Sequence, residues 1–389
     1  MQMQRDVKIP HFRPYDKVRD FLRRSIQALL PWNVVNALRR RSFMWRAFIN
    51  YLLLRSRLVD RFFRVSIWPT TLAIEGTNIC NARCVFCAYP QMERPKKIMP
   101  VSEFKNFVSQ YVRMGGRRVD LTPIVGDPFV DKYIFERLDY LASLPELRRF
   151  QFYTNAVLMK PQFHQRLAAY GSRLIVYCSF GGFDRETYHK VMGIDKFNEA
   201  VAAIQGLIET KRRTGSGMNI QVNLRVPPEN NKGELWEYFL QARDQGLITI
   251  ESVTQFDSWA GKIKDEDLSD AGLRPQPMPV KRGVCHRLIT SPVVLADGRV
   301  NGCACRDVDA SLIIGDLKQE PLTQILSGPA LRELIEQHER GEFPEVCRRC
   351  TYYEALYPAW MRGPLFPFFS RLFSGRRKVQ GQAGSRLSA

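Results

Sequence analysis

The chain has 389 residues, of which 45% are hydrophobic and 25% charged, an ordinary composition for one large folded domain with a smaller appendage. No apolar run reaches about 18 residues, which argues against a membrane-spanning helix, and the N-terminus MQMQRDVKIPHF lacks the apolar core of a secretion signal. These features predict a cytoplasmic protein.

The formal net charge of +19 is concentrated at the two ends of the chain. Residues 1–70 contain 15 Lys and Arg against 4 Asp and Glu, and residues 362–389 contain 6 basic residues and no acidic one. Both ends also carry Phe and Leu. They can bind an anionic membrane surface at the inner face of the membrane, bind another anionic partner, or pack on the body with solvated charges. No recognised nucleic-acid-binding module accompanies them, which argues against nucleic acid.

From Thr71 onwards, short β-rich runs alternate with amphipathic helical stretches. The predicted strands are 71–76, 117–123, 148–154, 173–180, 218–226 and 248–254. The predicted helices between them are 102–114, 131–143, 161–169, 196–213 and 231–244. Strand–helix alternation of this kind favours parallel strands with right-handed crossovers, an α/β fold. Six units suit an open, partial (βα)6 barrel.

Changes in composition divide the chain into five segments. A basic, amphipathic helical extension spans 1–70, and the barrel spans 71–255. A Pro/Gly-rich and charged linker follows at 256–284. A small cysteine-bearing domain with a helix near 329–340 occupies 285–355, and a basic, aromatic tail ends the chain at 356–389.

Three cysteines follow the first predicted strand in the stretch TNICNARCVFCAYP: Cys80, Cys84 and Cys87, with Phe86 before the third. Three thiolates can hold three irons of a 4Fe–4S cube, which normally takes four cysteine ligands, so the fourth iron stays open. The loop also leaves the carboxyl end of a strand, where α/β barrels place their chemistry. A structural zinc site is the alternative, but it needs a further Cys or His nearby.

The spacing of Cys80, Cys84, Phe86 and Cys87 resembles the CxxxCxΦC motif of the radical S-adenosylmethionine (SAM) superfamily. The resemblance implies that the open iron chelates the amino and carboxylate groups of SAM. An electron from a reductant such as flavodoxin or ferredoxin then releases a 5′-deoxyadenosyl radical, which abstracts hydrogen from the substrate. The protein's part would be to orient the cofactor and to exclude quenching.

Segments after later strands also resemble the family. Val125 to Pro128 resemble the GGE segment that meets the methionine ammonium, and Tyr153 to Asn155 resemble its TNG-type segment. Ser179 lies where the family contacts ribose or carboxylate. The resemblance covers about residues 71–255, and it implies cofactor contacts at Phe86, Gly126, Asp127, Pro128, Thr154, Asn155, Ser179 and Arg225.

Two positions depart from the family pattern. Gly181 stands where the family usually has Asp, and Met192 stands where an Arg can pair with the methionine carboxylate. We expect Arg225, on the fifth predicted strand, to supply that charge instead.

A second cysteine group lies beyond the barrel and has short, ligand-like spacings. It consists of Cys285, Cys303, Cys305, Cys347 and Cys350. Five thiols within 66 positions predict another metal site. The group resembles a shortened SPASM domain, which carries auxiliary 4Fe–4S clusters on seven cysteines in its full form. Five cysteines imply one auxiliary cluster and a spare thiol, with Cys303 or Cys305 the ambiguous member; zinc held by four cysteines is the alternative.

The spare thiol leaves two reaction types open. If the auxiliary cluster accepts an electron from a substrate radical, the reaction is a dehydrogenation. If Cys303 or Cys305 returns a hydrogen atom to the opposite face, it is an epimerisation. Cys178, next to Ser179, should face away from the cofactor and pack as an apolar residue.

Three functions are compatible with these patterns. The first is a radical oxidoreductase or epimerase acting on a sugar-like or lipid-linked metabolite. The second is a maturase that modifies a ribosomal peptide or a protein side chain, although residues 1–70 show no strands of a leader-binding domain. The third is a non-catalytic iron–sulfur or zinc protein, which would not explain the motifs at the strand ends.

Overall fold

The computed structural model describes residues 71–253, 255–304 and 306–356, with isolated positions between 34 and 69. Six parallel strands form its main sheet and pair in chain order: β1 (Leu72–Ile74), β2 (Arg118–Asp120), β3 (Arg149–Thr154), β4 (Leu174–Phe180), β5 (Asn219–Leu224) and β6 (Ile248–Ser252). The six predicted strands and the open α/β barrel are confirmed.

Helices connect these strands. They are α1 (Val101–Arg113), α2 (Ile134–Ser143), α3 (Pro161–Ala169), α4 (Arg185–Met192), α5 (Phe197–Thr214) and α6 (Glu234–Asp244). All except α4 were predicted from the sequence. Helix α4 has local signals for its ends: Asp184 accepts a hydrogen bond from Thr187 N at its start, and Gly193 at its end is left-handed, with φ 63°.

The two faces of the sheet differ in burial. In β4, Leu174, Val176, Cys178 and Phe180 are buried, while the alternate side chains are half-buried. Right-handed crossovers between strands paired in chain order place all the helices on one face. The other face, called the lumen below, is the interior of the open barrel. Cys178 is on the helix side, as predicted, where burial raises the pKa of its thiol to about 12.

The C-terminal part extends this sheet. Strands β7 (Val293–Val294), β8 (Arg299–Asn301) and β9 (Ile313–Asp316) continue it, with β7 parallel to β1 and the other two pairs antiparallel. Short helices complete this region: α7 (Asp265–Asp270), α8 (His286–Thr290), α9 (Leu322–Ser327), α10 (Pro329–Arg340) and α11 (Glu345–Arg349). The second cysteine group is therefore attached directly to the edge of the barrel.

A buried ion pair joins the barrel to this C-terminal part. The guanidinium of Arg94 binds both carboxylate oxygens of Glu75, at 2.5 and 2.8 Å, and both side chains are buried, that of Glu75 completely. Arg94 Nε also donates to Val308 O at 2.6 Å, and Ala296 N donates to Glu75 Oε2 at 3.2 Å. Glu75 follows β1 directly, so this network fixes the start of the cysteine loop.

Part of the N-terminal extension contacts the C-terminal region. Arg40 pairs with Glu354 at 2.7 Å, and the buried Tyr51 hydroxyl donates to Glu339. No helix among the described residues is long and apolar enough to cross a membrane. The other residues of the basic ends, including 357–389, lie outside the described ones, and membrane attachment stays a prediction.

The buried side chain of His164 on α3 should make the stability of the folded protein depend on pH. Its ring is buried beneath α5, where a Cβ at Gly206 would lie 2.6 Å from His164 Cε1. Burial lowers the pKa of His164, so the unfolded chain takes up the proton first as the pH falls below about 6.5. The folded state therefore keeps its full stability above about pH 6.5 and loses part of it as the pH falls below that value. We expect His164→Gln to flatten the fall of the thermal midpoint between pH 7 and pH 5, measured by anaerobic calorimetry.

The exposed His189 provides the control for this prediction. His189→Gln should keep the pH slope of the parent protein. Equal slopes for the two variants would contradict the assignment to His164.

Candidate functional site

The first cysteine loop is anchored on the end of α4. Arg83 N donates to Met192 O at 3.3 Å, and Val85 N donates to Val191 O at 3.0 Å. A Cβ at Gly193 would lie 2.2 Å from Arg83 O, so only glycine permits this approach. The loop therefore owes its shape to a helix more than 90 residues away in the chain.

The three thiols of this loop, Cys80, Cys84 and Cys87, are all half-buried. Burial raises the pKa of each, that of Cys80 to about 12, and Cys80 and Cys87 raise the pKa of Cys84 further. All three thiols lie in one short loop, and a bound cation there would favour their thiolate forms. Three irons of a cube would take one thiol each, a requirement that this donor set fits.

The turn after β2 packs tightly against the cysteine loop. Gly126 has a φ of 112°, and a Cβ there would lie 2.7 Å from Thr77 O. Asp127 N donates to Ile79 O at 2.9 Å, and the buried Pro128 starts a short helical turn. Close backbone approach explains why glycine occupies this position.

The carboxylate of Asp127 is directed into the protein. It accepts hydrogen bonds from Thr154 Oγ1 at 2.8 Å, Asn155 N at 2.9 Å and Phe129 N at 3.0 Å. Asn155 Nδ2 in turn donates to Asn81 Oδ1 at 2.8 Å. The three segments predicted from separate motifs therefore meet at one end of the sheet, with Asp127 joining the second to the third.

The two departures at Gly181 and Met192 have one physical cause. A Cβ at Gly181 would lie 2.4 Å from Met192 Cγ, and Met192 is buried. The methionine thus fills the space that a side chain at position 181 would need, and it leaves no cation there.

Arg225 supplies a cation close to the cysteine loop. Its guanidinium lies 5.4 Å from the ring centroid of Phe86, and its buried Nε has no hydrogen-bond partner among the described residues. Burial lowers the pKa of Arg225, since desolvation disfavours the charged form of the guanidinium. An anionic group bound beside Arg225 would pair with its guanidinium.

Ser179, another predicted cofactor contact, is half-buried on the lumen side of β4 and is paired in register with Asn223.

Four of the five later cysteines line a single pocket. They are Cys285, Cys303, Cys347 and Cys350, and the pocket also includes Arg306, His338 and Tyr352. Burial raises the pKa of the Cys350 thiol to about 11. Four thiols are the usual complete ligand set of a 4Fe–4S cube. Cys305 lies outside the described residues.

Residues 256–261, which the sequence suggested were part of a linker, instead connect the two cysteine groups. Trp259 Nε1 donates to Phe86 O at 2.8 Å, and Ser258 N donates to Thr351 Oγ1 at 2.8 Å. Trp259 and Ala260 are both left-handed, with φ 48° and 56°. Positive φ at residues other than glycine is uncommon, and no sequence pattern indicated it.

The lumen contains a row of polar side chains that motif reasoning missed. Gln151 Nε2 donates to Asp120 Oδ2 at 2.8 Å. The rings of Tyr153 and Tyr177 are stacked, with 4.4 Å between their centroids. The signal was the alternation of polar and apolar residues within β3 to β6. Further polar members of the row include Ser179, Gln221, Asn223 and the exposed Glu251.

Family comparisons match two parts of the chain. The family model of the radical SAM superfamily matches residues 74–239, and that of the SPASM iron–sulfur cluster-binding domain matches residues 285–351.

Individual relatives are distant. A GTP 3′,8-cyclase from Pasteurella multocida is 25% identical over 196 residues, which is 49% of this chain and 54% of the cyclase. Mycofactocin maturase MftC from Mycobacterium tuberculosis is 29% identical over 151 residues, 39% of this chain and 37% of the maturase. The chain thus spans about half the length of the cyclase.

Solved structures show the same fold. Streptococcus suis SuiB bound to its precursor peptide SuiA has a TM-score of 0.51 at 13% identity, covering 86% of this chain and 74% of SuiB.

Proposed function

Because the chain belongs to the radical SAM superfamily and carries a SPASM domain at residues 285–351, we propose that it dehydrogenates a small, sugar-like metabolite held in the lumen. These families use SAM and 4Fe–4S clusters. When bound, the first cluster and SAM supply the radical that abstracts hydrogen, and the auxiliary cluster can accept an electron. A flavodoxin or ferredoxin would supply the reducing electron.

The thiols divide between the two centres. Cys80, Cys84 and Cys87 would hold the first cluster, leaving one iron for SAM. Four thiols line the later pocket and would hold the auxiliary cluster: Cys285, Cys303, Cys347 and Cys350. A fully ligated auxiliary cluster favours electron acceptance, and hence dehydrogenation.

The polar row in the lumen is the observation that carries the proposal. Amide, phenol and carboxylate groups in one interior can hold several hydroxyl groups of a small molecule. In the reaction, a substrate carbon loses a hydrogen atom and then an electron, the neighbouring oxygen or nitrogen loses a proton, and a double bond forms between them. Burial raises the pKa of Asp120, and its hydrogen bonds from Gln151 and Thr122 N hold it in place. Asp120 can therefore accept the proton.

Untargeted mass spectrometry can test this function on a mixture of metabolites. The reconstituted protein is incubated anaerobically in D₂O with SAM, dithionite and a low-molecular-weight extract of the source cells. Dehydrogenation predicts a metabolite lighter by two hydrogens, formed together with 5′-deoxyadenosine. A metabolite that keeps its composition but gains one deuterium would establish epimerisation and refute the proposal.

Peptide modification is the second candidate, because part of the chain is similar to mycofactocin maturase MftC. It predicts that 5′-deoxyadenosine release is stimulated by the peptide fraction of the extract and unaffected by the small-metabolite fraction. That result would replace the metabolite proposal.

Arg225 is proposed to pair with the methionine carboxylate of SAM in place of the arginine missing at position 192. Hydrogen bonds to charged groups contribute about 1.5–3 kcal/mol, so we expect Arg225→Met to weaken SAM binding roughly 10-fold to 100-fold. The binding is measured as the perturbation of the cluster's EPR signal during SAM titration. Arg213→Met, at an exposed position on α5, is the control and should keep the parent affinity. Unchanged affinity in Arg225→Met would rule out this role.

A further inference from the structure

We propose that Arg306 tunes the reduction potentials of both iron–sulfur centres, because its guanidinium is fixed between the two cysteine groups. The inference rests on the assignment of one cluster to each group. It does not depend on which substrate is oxidised, so its test is separate from that of the proposed reaction.

Three neighbours hold the Arg306 side chain in one place. Its Nε lies 2.5 Å from Asp257 Oδ1, and its guanidinium carbon lies 4.5 Å from the ring centroids of both Trp259 and Tyr352. Asp257 Oδ1 also accepts a hydrogen bond from Trp259 N at 3.0 Å. A guanidinium held between two aromatic faces and a carboxylate has little freedom to move.

The same neighbours connect Arg306 to the first cysteine group. The indole N–H of Trp259 donates to Phe86 O at 2.8 Å, and Phe86 directly precedes Cys87. Phe86 also packs against Phe256 at 5.4 Å between ring centroids. The ring beneath Arg306 is thus bonded to the backbone of the loop that would hold the SAM-binding cluster.

Arg306 is also next to the second cysteine group. Arg306 lines the same pocket as Cys303, Cys347 and Cys350, and Tyr352 lines it too. Ser258 N donates to Thr351 Oγ1 at 2.8 Å, which ties the loop below Arg306 to the residue after Cys350. Arg306 is therefore adjacent to both sites and belongs to neither ligand set.

Arg306 brings a fixed positive charge to this position, and Asp257, which pairs with it at 2.5 Å, brings a negative one. A positive charge that stabilises thiolate also stabilises the reduced, more negative form of a nearby cluster. Arg306 should therefore raise both potentials, and Asp257 should lower them.

Redox titration of the reconstituted protein, followed by EPR, tests the proposal. Addition of SAM separates the two signals, because SAM binds only the first centre. For Arg306→Met we expect the reduction equilibrium of each centre to move about tenfold towards the oxidised form, which is about 59 mV for a one-electron couple. Arg306→Lys, which keeps the charge, should recover most of that shift.

Asp257→Asn provides a second test, which can be used even if Arg306→Met fails to retain its clusters. It should move both potentials upwards, whereas a purely structural role for the pair would give shifts of the same sign in both variants. Lys262→Met is the control, since Lys262 is a nearby cation that pairs with Glu93 at 3.1 Å and Asp309 at 2.5 Å; its potentials should stay close to those of the parent. Unchanged potentials in Arg306→Met with full iron content, or a shift at only one centre, would overturn the inference.

Discussion

Replacing Cys84 with alanine should abolish the release of 5′-deoxyadenosine from SAM. With two thiols left in the loop, the first cube lacks a third protein ligand, and the iron content should fall from about eight to about four per chain. Chromatography of the reaction with dithionite measures the nucleoside, and a colorimetric assay measures iron.

Cys178→Ala is the matched control, because it also removes one thiol. Cys178 is fully buried on the helix side of β4, so this variant should keep both its iron content and its activity. Release of 5′-deoxyadenosine at the parent rate by Cys84→Ala would exclude the assignment of the first cluster.

Among the substitutions proposed, Glu75→Gln should cause the largest decrease in the free energy of unfolding. The substitution leaves the buried guanidinium of Arg94 without its anion, and breaking a buried ion pair in this way typically costs about 3–5 kcal/mol. The network also holds Ala296 N and Val308 O, so the loss should be felt in the barrel and in the C-terminal region together. Anaerobic chemical denaturation of the reconstituted protein measures the free energy of unfolding.

Two further variants distinguish loss of the pair from a general effect of mutation. Glu199→Gln removes the anion of an exposed pair with Lys196 and should leave the free energy of unfolding nearly unchanged. The double variant Glu75→Met with Arg94→Met removes both charges and should be more stable than Glu75→Gln. If the double variant is the less stable of the two, the network is not held by the charge pair.

Much of the fold and site could be predicted from the sequence because the signals are local. The strands have alternating or apolar patterns, and the two cysteine groups have short spacings. The motif segments were predicted at the ends of successive strands, and the carboxyl ends of parallel strands meet at one edge of a sheet.

The features that were missed depend on contacts between distant parts of the chain. Gly181 looked like the loss of a functional carboxylate, and only the packing of Met192 explains it. Residues 256–261 looked like a linker, since nothing local indicates that Trp259 bonds to a carbonyl 173 positions earlier. The pairing of β7 with β1 was equally invisible, because two-residue strands leave no periodic signal.

The pairing of β7 with β1 has a consequence for how the protein can move. The first cysteine group follows the end of β1, and β7 leads through β8 to Cys303 of the second group. Main-chain hydrogen bonds of one sheet therefore connect the two cysteine groups. A hinge between the two sites would have to break that ladder. If the proposed clusters occupy these two groups, the distance between them should be the same before and after a ligand binds, and any opening that admits a ligand has to come from loops at the rim.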